Sequence, residues 1–384
     1  MGAPPGEDYF AGTFTGGSQN GDQENGHRTL EVRRASTITM EATQWLWQDN
    51  DLHWMPLGEF TLLGGREGIG KSTMAYHIAA QITQGSLTGD FYGTPKAVII
   101  CATEDSWSKT ITPRLKAVGA NMDLIFQVNA ITPEGFPVNV KLPADIHEIE
   151  QIVTDYDVAL IILDPLMSAI DSKLDTHKDA SVRLALEPLI GLAMRANAAI
   201  VGLIHQKKGA ADDLRAKLMA SIAFVAVARN VLYCGHRREE DNPRHTFWFG
   251  QIKTNLGPKA MQTWIYYIEG VPNVGWDKNK DMPVHSSRIV MDELIEGNVE
   301  DLYVDQEKEA AKAKKNTAGN QVQRWLTHHI GNRSLRRTAV LHEALDEMGF
   351  SESTVKRAFR EMGGESSPIP GTQNEKYWRL PHEA

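Results

Sequence analysis

The stretch EFTLLGGREGIGKST, residues 59–73, decides the fold: a short apolar run leads through a glycine-rich turn into a helical segment. Gly65, Gly70, Lys71 and Ser72 fit the spacing G-x-x-x-x-G-K-[ST]. In this pattern backbone N–H groups wrap around a phosphate, the lysine reaches the β- and γ-phosphates, and the hydroxyl ligates Mg²⁺. A glycine-rich surface turn is the alternative, but the flanking strand-like and helix-like segments favour a phosphate-binding P-loop. The residues predicted to contact the nucleotide here are Gly65, Arg66, Glu67, Gly68, Ile69, Gly70, Lys71, Ser72 and Thr73.

Composition indicates an ordinary globular protein of two or three domains, since the 384 residues are 41% hydrophobic and 23% charged. No apolar run approaches the length of a membrane span, and no basic-then-apolar leader opens the chain. Cys101 and Cys234 both end apolar runs and predict buried free thiols in a reducing cytoplasm. The net charge of −9 argues against a uniformly basic nucleic-acid surface. We therefore expect a cytoplasmic protein without membrane contact.

Four segments differ in composition and periodicity. Residues 1–40 are rich in Gly and lack apolar periodicity, which predicts a mostly disordered tail. Residues 41–275 alternate strand-like and helical segments, which predicts an α/β domain. Residues 276–318 predict a linker, with a solvated helix as a possibility, because the composition becomes charged and alanine-rich around 300–318. Residues 319–384 resume apolar periodicity as three helices and a short hairpin, the plan of a winged helix-turn-helix domain.

Continuous apolar runs in the second segment indicate strands buried on both faces of a parallel sheet. These runs are AVIICA (97–102), LIFQV (124–128), VALIILD (158–164) and AAIVGLIH (198–205). Three further strand-like runs within 230–269 follow one another without helices between them, so we expect them to add antiparallel strands to the sheet. The predicted fold class is α/β, with a mostly parallel sheet and antiparallel strands at its C-terminal end.

Acidic residues follow two of the predicted strands, where the carboxyl ends of parallel strands face one crevice. Asp164 ends a strand and is placed to hold the Mg²⁺ hydration shell. The next residue, Pro165, cannot supply the water-activating carboxylate that many ATPases place there. Glu104, just past the neighbouring strand, is the predicted base, and Asp105 is its rival. Alternatively, the two acids merely end a strand at the surface.

His205 ends another predicted strand and is followed by a long polar loop that carries Lys207 and Lys208. The histidine is either a hydrogen-bonded core residue or a sensor of the γ-phosphate. A long basic loop at the rim of an active site suits a nucleic-acid backbone, which makes both lysines candidate DNA contacts. No guanine-specific N-K-x-D motif follows, so ATP is the expected nucleotide.

Seven blocks in order carry a resemblance: GEFTLLGGREGIGKST, VIICATEDS, LIILDPL, DTHKDASVRLALEPL, GLIHQKKG, SIAFVAVARNVLY and FGQIKTN. They resemble the RecA-fold ATPases related to plasmid RepA-type hexameric replicative helicases, over roughly residues 45–270. The resemblance implies a RecA-like P-loop NTPase core, ATP and Mg²⁺ as cofactors, a hexamer of identical chains, and single-stranded DNA as partner.

Further roles follow from the resemblance. Arg229 matches an arginine finger that reaches into the neighbouring subunit's site. A local salt bridge is the alternative, although no anionic residue stands beside it in the sequence. Lys253 is a candidate second cation acting in trans, and Arg114 a candidate adenine neighbour. The chain departs from the family at 218–221, where a basic residue and Gly-Ser are usual.

The segment 351–363 predicts an amphipathic helix that begins at a serine cap and has its apolar side chains on one face. Lys356, Arg357 and Arg360 fall on the other face, as in a recognition helix that enters a major groove. Because residues 320–384 hold nine Lys and Arg against eight Asp and Glu, a small protein-docking module is the alternative.

These observations predict an ATP-hydrolysing DNA motor, a hexameric replicative helicase of a phage or plasmid replication module. Two alternatives remain open. One is an ATP-gated DNA-binding initiator or regulator that does not unwind DNA. The other is a RecA-like recombination or repair ATPase.

Overall fold

A computed structural model describes residues 32–176, 178–206, 214, 218, 222–237 and 244–381, with the side chains of 222 and 310–319 excepted. The chain divides into two units, one up to Thr43 and one from Gln44 onward. The predicted tail, residues 1–40, lies mostly outside the described residues, and its described part contains a 3₁₀ turn at Ala35–Thr37. Within the described ranges, no helix is both long and apolar enough to cross a bilayer.

The second unit begins with the elements that build the main sheet and its flanking helices. In chain order they are β1 (Trp45–Asp49), β2 (Leu52–Pro56), β3 (Phe60–Gly65), α1 (Lys71–Gln84), β4 (Ala97–Ala102), α2 (Thr112–Ala117), β5 (Ile125–Gln127), β6 (Ala130–Ile131), β7 (Pro137–Val138), α3 (Ile146–Asp155), β8 (Val158–Asp164), α4 (Leu166–Ala169), α5 (Asp179–Ala196), β9 (Ala199–His205), α6 (Ile222–Val227), β10 (Asn230–His236), β11 (Thr246–Thr254), β12 (Gln262–Asp277) and β13 (Met282–Glu296).

Nine of the described strands form one mixed sheet in the order β13-β12-β11-β10-β3-β9-β8-β4-β5. The strands from β10 to β5 run parallel, whereas β11, β12 and β13 are antiparallel. The central strands β3, β4, β8 and β9 are almost entirely buried, as their continuous apolar sequences predict. This α/β architecture fits a P-loop NTPase core and confirms the predicted fold class at that level.

Two strand predictions were wrong in detail. The run at 230–235 was expected to add an antiparallel strand, but β10 pairs in parallel with β3, with Asn230 opposite Thr61. The long connection from β9, which includes α6, returns the chain to the end of the sheet where the parallel strands begin. β10 can therefore run parallel to β3. The run at 124–128 was expected to be buried on both faces, but β5 ends the sheet and its Gln127 is exposed.

Hydrophobic clusters cover both faces of the sheet. On one face α3, α4, α5 and α6 pack against the strands through side chains such as Ile149, Leu189 and Phe224. On the other face α1 and α2 pack with β1 and β2 through Met74, Leu115 and Trp54. Two helix-covered faces leave the carboxyl-end edge of the parallel strands open, which is where ligands bind in such sheets.

The long hairpin of β12 and β13, at one side of the main sheet, also contacts α1 and α2. Tyr266 donates its hydroxyl hydrogen bond to the backbone oxygen of Ile69 at 2.7 Å. A Cβ on Gly70 would lie 2.7 Å from the Cδ1 atom of Ile268, so the hairpin closes against the P-loop. The predicted linker 276–318 is therefore wrong in its first half, because backbone pairing with β12 holds a mostly half-exposed strand there.

The C-terminal part follows the predicted order of helices and a final hairpin. Its elements are α7 (Val299–Ile330), β14 (Leu335–Arg336), α8 (Arg337–Met348), α9 (Glu352–Glu361), β15 (Glu365–Pro368) and β16 (Lys376–Arg379). Helix α7 begins inside the predicted linker and continues into the C-terminal part, whose core includes Leu326, Val340 and Phe359. Phe359 stacks on Trp378 of β16 with ring centroids 4.0 Å apart. The assignment as a winged helix stays a prediction.

Candidate active site

The P-loop lies between β3 and α1, and its backbone needs glycine at both ends. Gly65 has φ +153°, and a Cβ there would lie 2.4 Å from the carbonyl oxygen of Cys234. Gly70 caps α1 in the left-handed region with φ +85°. Because L side chains are strained at such angles and a backbone oxygen cannot move away cheaply, the loop can adopt this path only with glycine at these positions. The N-terminus of α1 then faces the space that the loop encloses.

Lys71 begins α1, and its side chain turns back over the loop. The residue is 6% exposed. Its Nζ donates to the backbone oxygen of Arg66 at 2.7 Å and lies 3.2 Å from Nδ1 of His205. Burial lowers the pKa of Lys71, and nearby acidic groups, Asp164 and Glu104 among them, oppose this shift. A phosphate would give this buried ammonium the anionic partner that such groups require.

Asp164 ends β8 beside the start of α1. Burial raises the pKa of Asp164, a hydrogen bond from Ser72 lowers it, and the negative charges of Asp105 and Glu104 raise it. A hydroxyl and a carboxylate therefore meet close to two further carboxylates and to the Lys71 ammonium. Oxygen donors of this kind, supplemented by phosphates and water, suit Mg²⁺, so Ser72 and Asp164 fit the predicted metal role.

Glu104 and Asp105 follow β4, which pairs in parallel with β8 so that Ala102 lies opposite Asp164. Asp105 forms an ion pair with Arg114, with Oδ2 and Nη1 2.9 Å apart. Glu104 is exposed at the crevice, close enough to raise the pKa of Asp164. Because Arg114 engages the carboxylate of Asp105, Glu104 is the better candidate base. An adenine contact by Arg114 stays a prediction.

His205 ends β9 in register with Gly65, so the structure brings it to the P-loop as the sequence predicted. The next residue, Gln206, was not predicted as part of the site. Its backbone N–H donates to the oxygen of Gly65 at 2.9 Å, and its Oε1 accepts from the Tyr233 hydroxyl at 2.8 Å. Gln206 thus ties the loop to two strands. A buried amide directly after a strand-ending histidine is a weak sequence signal for such a role.

Tyr76 was also missed. Its apolar neighbours on α1 explain it as a core residue, yet its hydroxyl lies 3.4 Å from Oδ2 of Asp164. Nothing in the local sequence reveals that contact, because the two residues are far apart along the chain.

Arg229 lies at the end of the sheet where the parallel strands begin, whereas the P-loop lies at the end where they finish. Its backbone N–H donates to the oxygen of Phe60 at 3.2 Å, at the start of β3. The length of β3 separates this point from Gly65, about 17 Å at roughly 3.3 Å per residue. The exposed guanidinium is near Glu59, whose pKa is raised by burial and lowered by Arg229. The anionic neighbour that the sequence did not show is thus Glu59.

Lys253 lies at the same edge as Arg229. Its Nζ donates to the backbone oxygens of Val225 and Ala228, each at 2.8 Å. These carbonyls belong to the C-terminal end of α6, where a cation is favourable. The ammonium therefore caps a helix of its own chain, and its predicted action in trans stays a prediction.

Lys253→Met is expected to lower the free energy of unfolding by about 1–2 kcal/mol, because the last carbonyls of α6 lose a charged donor. Urea denaturation measures the change. Lys278→Met, at an exposed lysine, is the matched control and should leave stability unchanged. A loss of ATP turnover at unchanged stability would instead indicate the action in trans.

The predicted DNA contacts are only partly described. Lys207 and Lys208 lie outside the described residues. On α9 the apolar side chains of Val355, Ala358 and Phe359 are buried, as predicted. The cations of the opposite face are Lys356, which pairs with Glu352 at 2.5 Å, Arg357, which pairs with Glu361 at 3.7 Å, and Arg360, which is exposed. Glutamates of the same helix thus offset two of the three charges.

The comparison with protein families agrees with this geometry. The model of the AAA domain family matches residues 23–211, just under half of the chain. The match includes the P-loop, Glu104, Asp164 and His205 and ends before Arg229. No curated protein matches the sequence. The P-loop with its clustered acidic residues and the family match together support an AAA-type P-loop ATPase.

Proposed function

We propose that the protein is an ATP-hydrolysing DNA motor, a hexameric replicative helicase. The observation that carries the proposal is that the candidate catalytic residues lie at two opposite ends of the parallel strands. Lys71, Glu104, Asp164 and His205 meet at one edge of the sheet, whereas Arg229 lies at the other. Arg229 can reach a phosphate only in another subunit, which favours a ring of subunits with sites at their interfaces.

The residues at the P-loop have distinct tasks in this proposal. Lys71 and the loop N–H groups bind the phosphates of ATP, and Ser72 and Asp164 would hold Mg²⁺, which would neutralise phosphate charge. Glu104 accepts a proton from the attacking water. The Arg229 side chain of an adjacent subunit stabilises charge on the transferring phosphoryl group. His205, next to Lys71, links the γ-phosphate position to the chain segment that follows β9.

DNA is the proposed partner. Lys207 and Lys208 follow His205 closely, so nucleotide state and strand contact are adjacent in the sequence. The face of α9 with Lys356, Arg357 and Arg360 is the second proposed contact. Because glutamates partly neutralise this face of α9, we expect it to make an auxiliary contact with DNA and not the principal one.

A second candidate is an ATP-gated DNA-binding initiator or regulator. The observation in its favour is the C-terminal part with its own hydrophobic core, which could bind duplex DNA without a motor. If this candidate is correct, ATP changes the conformation of the protein and the DNA strands are not separated.

Strand displacement distinguishes the two candidates. The motor is expected to separate a fluorescent forked duplex with ATP and to have the mass of six subunits by light scattering. Lys71→Ala is the matched control, since it removes the phosphate-binding cation and should abolish displacement. A monomer whose ATP turnover ignores single-stranded DNA would contradict the motor and favour the switch.

A further inference from the structure

Tyr76 lies on α1, one and a half turns after Lys71, and is 0% exposed. Its ring belongs to the hydrophobic cluster on the α1 face of the sheet. A phenylalanine would fill that space equally well. The hydroxyl instead reaches Oδ2 of Asp164 at 3.4 Å. Burying a hydroxyl carries a free-energy cost unless it forms a hydrogen bond, so this contact accounts for a tyrosine here.

Charged groups surround the Tyr76 hydroxyl. Burial raises the pKa of Tyr76, the negative charges of Asp164 and Asp105 raise it further, and Arg114 opposes them. The carboxylate of Asp164 thus has two hydroxyl neighbours, one from Ser72 at the start of α1 and one from Tyr76 a turn later.

We propose that Tyr76 is a positioning residue that orients the Asp164 carboxylate for Mg²⁺. The inference rests on the nucleotide site of the proposed function, not on DNA unwinding. A carboxylate that binds a metal is usually held by a second hydrogen bond, and loss of that partner typically weakens metal binding tenfold or more. The buried phenol is placed to supply that bond to Asp164.

The test measures Mg²⁺ in the binding of a fluorescent ADP analogue. In Tyr76→Phe the Mg²⁺ concentration at half-saturation is expected to rise about tenfold, because the carboxylate loses its fixed orientation. Affinity for the analogue in EDTA is expected to stay at the wild-type value. Thr83→Val is the matched control: it removes another buried hydroxyl of α1, one that donates to Ala80, and should leave the Mg²⁺ dependence unchanged.

A double-mutant cycle shows whether Tyr76 acts through Asp164. In an Asp164→Asn background, the Tyr76→Phe substitution is expected to cause no further loss of Mg²⁺ affinity, since the two act as one unit. An equal loss in both backgrounds would overturn the proposal. So would a Tyr76→Phe protein with the Mg²⁺ dependence of the wild type.

A second readout leaves the hydroxyl in place. With 3-fluorotyrosine at position 76, the ¹⁹F resonance of the ADP complex is expected to shift when Mg²⁺ is added, and an unchanged resonance would overturn the proposal. Wild-type protein that binds no nucleotide would overturn the proposed function itself. Normal wild-type binding with an unaffected Tyr76→Phe variant would remove only the role of Tyr76.

Discussion

Glu104→Gln is expected to bind ATP with the affinity of the wild type and to lose turnover by about 10²–10⁴-fold, the range typical of a removed general base. The amide keeps the size of the side chain but cannot accept a proton from water. Phosphate release measures turnover, and a fluorescent ATP analogue measures binding. Because Glu104 is exposed beside the crevice, the substitution should leave thermal stability unchanged.

Asp105→Asn is the matched control, since Asp105 is the neighbouring acid and the alternative base. Its carboxylate is engaged by Arg114 at 2.9 Å, so we expect a modest loss that appears mainly as weaker nucleotide binding. Full hydrolysis by Glu104→Gln would contradict the assignment of the base. A larger loss of turnover in Asp105→Asn would transfer that role to Asp105.

Arg229→Ala is expected to lower turnover by about 10³–10⁵-fold, as removal of an arginine finger does. Nucleotide affinity should change little, because Arg229 and the P-loop of the same chain occupy opposite edges of the sheet. Glu59→Gln is the control for a local salt bridge: if Arg229 served only Glu59, both variants would show the same small loss of stability and full turnover.

Mixing subunits makes the arginine prediction sharper. Arg229→Ala subunits retain a complete P-loop, and Lys71→Ala subunits retain the arginine. Each is expected to be inactive alone, whereas a mixture should regain part of the ATP turnover, because some interfaces join an intact P-loop to an intact Arg229. Absence of recovery in assembled mixtures would contradict action between subunits.

The sequence predicted the central sheet well because its strands carry their own signal. The runs at 97–102 and 158–164 coincide with β4 and β8, whose side chains are apolar on both faces. Strand β13 was missed for the opposite reason. Of its side chains Ile289 is buried while the others are half-buried or exposed, so hydropathy gives little evidence of a strand. β13 pairs with β12 through backbone hydrogen bonds, which the hydropathy of the side chains does not reveal.

The site was predictable where one motif or one strand end fixes a residue, as for Lys71, Asp164 and His205. It was not predictable where two distant segments meet. The choice between Glu104 and Asp105 depends on the position of Arg114, and the neighbour of Arg229 is Glu59, which precedes the adjacent strand β3. The hydroxyl of Tyr76 shows the same limit, since helical periodicity accounts for the ring and says nothing of its polar atom.

The contact between the β12–β13 hairpin and Gly70 determines when, during synthesis, the P-loop can acquire its packing partners. Tyr266 and Ile289 follow the P-loop by some two hundred residues, so during synthesis the loop emerges long before the strands that hold it. A fragment that ended at residue 211, where the family match ends, would lack those strands. Any shortened version meant to bind nucleotide therefore has to extend through Glu296, and a nascent chain completes its phosphate site only late in translation.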